Sequence, residues 1–235
     1  MEKIIDLFID FDDTLYDTRG NAIISLAEMF REFHLEQYFD NPQTFYDAYW
    51  EANISLWAQY SRGEISRDYL IVERFRRPLS LGKSLDPTVD YCLKVSDRFL
   101  ELCSDKPGTV EGAHDLLRYL KSKGYRLHIA SNGFHEVQYR KITAAGMMDY
   151  FDTVILSEDA GANKPSQVFF DYALKQAGAS RETSLMIGDN YNTDIIGALD
   201  AGIRTILFNR WDASFVPPRP VNFTVNSLSA IKEIL

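Results

Sequence analysis

The chain has 235 residues, 46% of them hydrophobic and 25% charged, and a formal net charge of -9. That length suits one large domain or a core with a smaller module, and the composition is that of an ordinary globular protein. An acidic balance argues against a nucleic-acid polymer as partner, since such surfaces carry a basic face, and no apolar run reaches the roughly 20 residues of a membrane span.

The first element is an apolar run, Ile4–Phe11, which reads as a buried strand. It ends in Asp10-Phe11-Asp12-Asp13-Thr14-Leu15. On a continuing strand Asp10 and Asp12 would point the same way, because side chains alternate with period 2. Carboxylates crowded at a strand's carboxyl end repel one another unless a cation joins them, and a hard, oxygen-loving ion such as Mg²⁺ fits.

Residues 16–106 have a different character, with several helical periodicities, many aromatics and no convincing strand. They are expected to form a helical module of four or five helices inserted after the first strand. Cys92 and Cys103 fall in one helical segment without a neighbouring His and read as inert buried thiols. The aromatics Tyr46, Trp50, Trp57 and Tyr60 lie near helical spacing. Most of them are expected to pack the module's core, with a minority, Trp57 first, left to stack on a ligand ring.

From Pro107 onward helices and strands alternate. Glu111–Lys123 reads as a helix before the strand Arg126–Ala130, and His135–Ala145 as a helix before Thr153–Ser157. Ser166–Ala177 precedes the strand Ser184–Ile187, and Thr193–Ala201 precedes Arg204–Asn209. A glycine follows each helix, at 124, 146, 178 and 202, as a carboxyl-terminal cap would require. Such alternation specifies an α/β fold with a doubly wound parallel sheet, to which the distant first strand belongs. The expected division is residues 1–15 with 107–235 as the core and 16–106 as a helical cap.

Three later strands run into polar, turn-prone residues: Ser131-Asn132-Gly133, then the loop holding Asn163-Lys164-Pro165, then Gly188-Asp189 through Asp194. In an open parallel sheet the carboxyl ends of the strands line one crevice. The chain thus gathers four Asp, a Ser hydroxyl, a Lys and loop amides at one edge, an inventory suited to phosphate chemistry.

These residues resemble the four motifs of the haloacid dehalogenase (HAD) superfamily, in order and without substitution. Asp10-x-Asp12-x-Thr14 matches the first motif, Ser131 the second, Lys164 before Pro165 the third, and Gly188-Asp189 with Asp194 the fourth. Within the superfamily, Ser131-Asn132-Gly133-Phe134 and the stretch from Asp149 to Leu174 look most like the pyrimidine 5′-nucleotidase branch. The resemblance implies a Rossmann-like core with a cap after the first strand. It implies a phosphomonoesterase in which Asp10 is the nucleophile, Asp12 the acid and base, and Lys164 a charge-neutralising catalytic group. Thr14, Ser131, Asn132 and Gly133 would join Lys164 in holding phosphate. Mg²⁺ would sit on Asp10, the Asp12 backbone carbonyl and Asp189, with Asp194 a ligand or one layer behind. A phosphatase for a small sugar or acid phosphate such as phosphoglycolate, and a non-catalytic HAD-fold regulatory module, are the competing readings.

Several of these residues also have ordinary uses. Lys164 taken alone is a surface lysine, Thr14 a turn cap, and Asp194 a helix N-terminal carboxylate. Asp13 reads as a turn residue and His34, His114 and His128 as structural, while His135 lies nearest the site. The expected ligand is a small phosphorylated metabolite, a nucleoside monophosphate on this reading. No membrane partner is expected, and the protein would be a monomer or weak homodimer. Asp6 and Asp10 come too early for a secretory leader, so the expected location is cytoplasmic.

Overall fold

A computed structural model describes residues 3–212 and 214–235. The chain divides into two compact units, Met1–Thr18 with Pro107–Leu235, and Arg19–Lys106.

The first unit is built on a parallel six-stranded sheet in the order β3-β2-β1-β4-β5-β6. Its strands are β1 (Asp6–Ile9), β2 (Arg126–Ser131), β3 (Thr153–Leu156), β4 (Ser184–Gly188), β5 (Arg204–Phe208) and β6 (Phe223–Val225). β1 is central, with Leu7 in register with Leu127 on one side and Leu185 on the other. Its four residues are all buried because both faces of the sheet are covered. Leu7 and Ile9 join a core with Leu127, Ile129, Leu185 and Ile187. Phe8, pointing the other way, packs with Ala130, Met186, Phe169 and Phe170. Each such buried side chain contributes about 1.5–3 kcal/mol, which places the sheet core at the head of the unit's stability.

Strand order reverses between β1 and β4: β2 and β3 lie on one side of β1, and β4, β5 and β6 on the other. The crevice at the carboxyl ends of β1 and β4 is therefore the expected ligand position for a doubly wound sheet.

The connecting helices are α5 (Ala113–Ser122), α6 (His135–Ala144), α7 (Ser157–Ala160), α8 (Gln167–Ala177), α9 (Ile196–Asp200) and α10 (Leu228–Ile231). Gly178 ends α8 at φ 58°, and Gly124, Gly146 and Gly202 also take positive φ. Two stretches depart from the sequence expectation. The helix expected over Thr193–Ala201 begins as a π-helical turn, Tyr191–Ile195, and only then becomes α9. The loop after β3 opens with the single helical turn α7, too short to leave a periodicity in the sequence. Tyr16 makes bridges to both Asp12 and Thr109, which keeps residues 16–18 with the sheet unit rather than with the helices.

The second unit holds most of α1 (Thr18–Glu32), then α2 (Pro42–Ser61), α3 (Arg67–Leu79) and α4 (Val89–Ser104), with a 3₁₀ turn at Leu35–Gln37. Ser66 and Thr88 cap α3 and α4 by accepting from the Tyr69 and Tyr91 amides. Apolar residues three and four apart, Ala22, Leu26 and Met29 on α1 and Cys92, Val95, Phe99 and Cys103 on α4, converge on one core with Phe45, Tyr49 and Phe75. Cys92 and Cys103 are buried and not disulfide-bonded. Of the four aromatics singled out by spacing, Tyr46 and Trp50 pack against this core. Trp57 and Tyr60 instead meet edge-to-face at 5.7 Å.

Candidate active site

β1 delivers Asp10 to the edge of the sheet, where its amide still donates to the Ile187 carbonyl of β4 at 2.8 Å. β4 delivers Asp189 beside it, and the π-helical turn brings Asp194 back under both. One carboxylate oxygen from each of Asp10, Asp189 and Asp194 lies within 4.8 Å of the others. The close approach requires Gly188, because a Cβ there would stand 2.2 Å from Asp194 Oδ2.

Lys164 is the cation of this cluster. Its ammonium donates to Asp10 Oδ1 at 2.6 Å and to the Ala130 carbonyl at 2.6 Å, and it pairs with Asp194 Oδ1 at 2.7 Å. The residue is buried, not the surface lysine that its type suggests. Burial by itself would push the ammonium down, but Asp10 and Asp194 outweigh burial and hold Lys164 above the ordinary lysine value. Asn132 fixes the loop: its Oδ1 accepts from the Lys164 amide at 2.8 Å and its Nδ2 donates to the Lys164 carbonyl at 3.0 Å. That loop packs so tightly on α9 that a Cβ at Gly197 would lie 2.8 Å from Pro165 Cα.

One ammonium does not satisfy three carboxylates. Burial, with Asp194 and Asp12 adding their charge against Lys164, raises Asp10 from 3.8 to about 7. Asp189 is raised well above its ordinary value by burial and then by Asp10 and Asp194. Two oxygens that hold their charge this reluctantly form a hard donor set in want of a cation, and the residues fit Mg²⁺. Asp194 is the most engaged of the three. Its Oδ1 takes Lys164 and the Thr193 hydroxyl, and its Oδ2 accepts the Asn190 amide at 3.1 Å.

The Asp12 carboxylate is not part of this set. Its oxygens accept from the Thr18 hydroxyl at 2.6 Å, Gln138 Nε2 at 2.7 Å and Lys141 Nζ at 2.7 Å. Burial would raise it, yet the Lys141 charge and these three hydrogen bonds prevail and hold it below the usual carboxylate value.

Three expected phosphate contacts have other partners here. Thr14 serves Asp189, donating to its Oδ1 at 3.0 Å and accepting its amide at 3.1 Å. The Asn132 amide holds Lys164, as above. The Gly133 N–H donates to Ser131 Oγ at 3.0 Å. Ser131 Oγ also accepts from Gln138 Nε2 at 2.6 Å, so its own proton is left to donate. His128 is buried against Asp6 at 3.0 Å and Thr153 at 2.6 Å, three residues before Ser131 on the same strand. His135 lies tilted against the Tyr139 ring, with centroids 4.8 Å apart.

Thr18, Gln138 and Lys141 had no place among the candidate residues. The available signal was a polar pair three residues apart on a helix whose inward face otherwise carries Ile142.

Residues 7–208 match the family model described as haloacid dehalogenase-like hydrolase. The chain belongs to this family. Over 205 residues it is 32% identical to the pyrimidine 5′-nucleotidase PynA of Streptococcus pneumoniae, covering 86% of this chain and 83% of that one. It is 30% identical over 234 residues to the pyrimidine 5′-nucleotidase YjjG of Escherichia coli, covering 97% and 96%. It is 32% identical over 236 residues to a glyceraldehyde 3-phosphate phosphatase of Methanothermobacter thermautotrophicus, covering 97% and 98%. Among solved structures, that of the putative HAD-hydrolase YfnB from Bacillus subtilis bound to magnesium superposes with a TM-score of 0.87 at 25% identity, covering 100% and 99%. The fold is thus the Rossmann-like HAD core with a helical cap. Among the described residues, no helix is long and apolar enough to cross a membrane.

Proposed function

We propose that the protein is a Mg²⁺-dependent phosphomonoesterase acting through an aspartyl-phosphate, with pyrimidine nucleoside 5′-monophosphates as preferred substrates. The observation that carries the chemistry is the cluster of buried Asp10, Asp194 and Lys164 with half-buried Asp189 at the strand-order reversal. Similarity to two pyrimidine 5′-nucleotidases across most of the chain supports the substrate class.

Phosphate-monoester hydrolysis is among the slowest uncatalysed reactions, so it needs both a nucleophile and heavy charge neutralisation. Asp10 Oδ attacks phosphorus while the bond to the ester oxygen breaks, dividing one hard step into two. Asp10, Asp189 and the Asp12 backbone carbonyl would hold Mg²⁺, which would supply positive charge at the transferring group, and Asp194 orients Lys164 and its neighbours. Lys164 offsets the charge developing on the phosphoryl oxygens. Ser131, its Oγ already accepting two hydrogen bonds, donates its proton to a phosphate oxygen. The ionised Asp12 is set to take a proton from the water that hydrolyses the acyl phosphate. Donating one to the leaving oxygen in the first step requires that it be protonated when substrate binds. A carboxylate at position 12 disfavours dehalogenation, which has no leaving oxygen to protonate.

The test is kcat/KM for uridine, thymidine and guanosine monophosphates against phosphoglycolate and glyceraldehyde 3-phosphate, with Mg²⁺ and in excess EDTA. Pyrimidine nucleotides are expected to lead, by a modest factor of about 10–200 over purine ones if ring size alone discriminates. Activity should vanish in EDTA. A tenfold or larger preference for either small phosphate would replace the nucleotidase reading with a sugar-phosphate one, which the archaeal relative favours. Trp57 is assigned the base contact. Trp57→Ala should raise KM more than it lowers kcat, because stacking is felt in ground and transition states alike.

A further inference from the structure

Two of the three side chains that grip Asp12 come from α6, a helix outside every motif used by the proposed chemistry. Gln138 Nε2 donates at once to Asp12 Oδ2 at 2.7 Å and to Ser131 Oγ at 2.6 Å. Lys141 Nζ reaches Asp12 Oδ1 at 2.7 Å, and lies 5.4 Å from the centre of the Tyr16 ring. Three residues apart, the two side chains share one face of α6, and that face is the buried one: Gln138 is 0% exposed and Lys141 9%. Packing alone does not select a lysine and a glutamine for such positions.

Two further features show that the arrangement answers to Asp12. Gln138 Oε1 is buried and has no hydrogen-bond partner. Turning the amide over would set that oxygen against the Asp12 carboxylate, so the NH₂ group faces its two acceptors and the orphan oxygen is tolerated. The loop after Ser131 is also shaped to admit this side chain, since a Cβ on Gly133 would stand 2.3 Å from Gln138 Cδ.

We propose that Gln138 and Lys141 are positioning residues for Asp12. Lys141 anchors one carboxylate oxygen. Gln138 ties the other to the Ser131 hydroxyl, so that the group moving protons and the group holding phosphate keep one fixed separation. Neither residue touches the phosphoryl group, and the inference rests on the phosphomonoesterase reading, in which Asp12 carries the proton.

The test is a double-mutant cycle. Lys141→Met and Gln138→Leu are made in the wild type and in Asp12→Asn, and full-length proteins are assayed with p-nitrophenyl phosphate and uridine 5′-monophosphate in Mg²⁺. In the wild type each substitution is expected to lower kcat about 10–100-fold with KM little changed. In Asp12→Asn the same substitutions should have almost no further effect, because the group they position is already gone. Lys141→Arg, which keeps the ion pair, should recover most of the loss. A merely structural role would lower kcat by similar factors in both backgrounds, and a coupling below about tenfold overturns the inference. Thermal unfolding identifies any variant that fails to fold; if Lys141→Met does, Gln138→Leu alone completes the cycle. The underlying reading fails differently: Asp12→Asn alone would then retain kcat within about tenfold of wild type, since general acid–base catalysis contributes about 10²–10⁴.

Discussion

Asp10→Asn should abolish turnover and yet make the metal-free protein more stable. Asp10 titrates at about 7 in the folded protein and at 3.8 in the unfolded chain. A native group with a raised pKa binds more protons than its unfolded counterpart between those values, so stability falls as pH rises through that window. Above pH 7 the full penalty is present, about 4 kcal/mol as an upper bound at about 1.4 kcal/mol per pKa unit. Asparagine removes that penalty and keeps an Oδ1 to accept from Lys164, 2.6 Å away. Asparagine also puts an Nδ2 donor where Asp10 had its second oxygen, and leaving that donor unpaired takes back about 1–3 kcal/mol. The net gain expected at pH 8 is therefore about 1–3 kcal/mol, or about 2–10 °C in Tm for a chain of this size. Thermal unfolding in EDTA from pH 5 to pH 8 measures it. The gain should shrink by about 1.4 kcal/mol per unit as pH falls below 7, and added Mg²⁺ should stabilise wild type more than the variant. A variant less stable than wild type at pH 8, or a gain that ignores pH, would refute the account of the cluster.

Lys164→Met should lose both activity and stability, the latter by about 3–5 kcal/mol, since it leaves Asp10 and Asp194 buried without their shared cation; chemical denaturation in EDTA reads the difference. Gly197→Ala, three residues past Asp194, should cost about 1–3 kcal/mol and lower kcat, because the added methyl meets the Phe170 ring at 2.4 Å and the Pro165 backbone. Wild-type stability against denaturant would show whether only one of these effects occurs. Burial lowers His128 below its ordinary 6.5 against the pull of Asp6 and Asp152, so the unfolded chain takes up this proton first. Its contribution is complete above pH 6.5 and is lost as pH falls below it; His128→Gln should flatten that part of the stability profile, and an unchanged slope would show that other groups set it.

The sheet was legible because its cause is local. Leu7, Phe8 and Ile9 alternate between two buried faces, and a glycine follows each helix from α5 to α9, so short windows of residues carry the message. The Asp10, Asp189, Asp194 and Lys164 set was legible for a related reason: parallel strands must end at one edge, whatever lies between them. Partner choice was not legible, because it depends on distances between segments far apart in the chain. Thr14 pairs with Asp189, 175 positions away. Asn132 spends its amide on the Lys164 backbone, 32 positions away. The π-helical turn at Tyr191–Ile195 exists because Asp194 must return to meet Lys164 and the Asn190 amide, a demand no helical periodicity records. Gln138 and Lys141 look like unremarkable polar residues until α6 is packed on the sheet. Only then does burial turn them toward the Asp12 carboxylate, since a buried donor must find an acceptor.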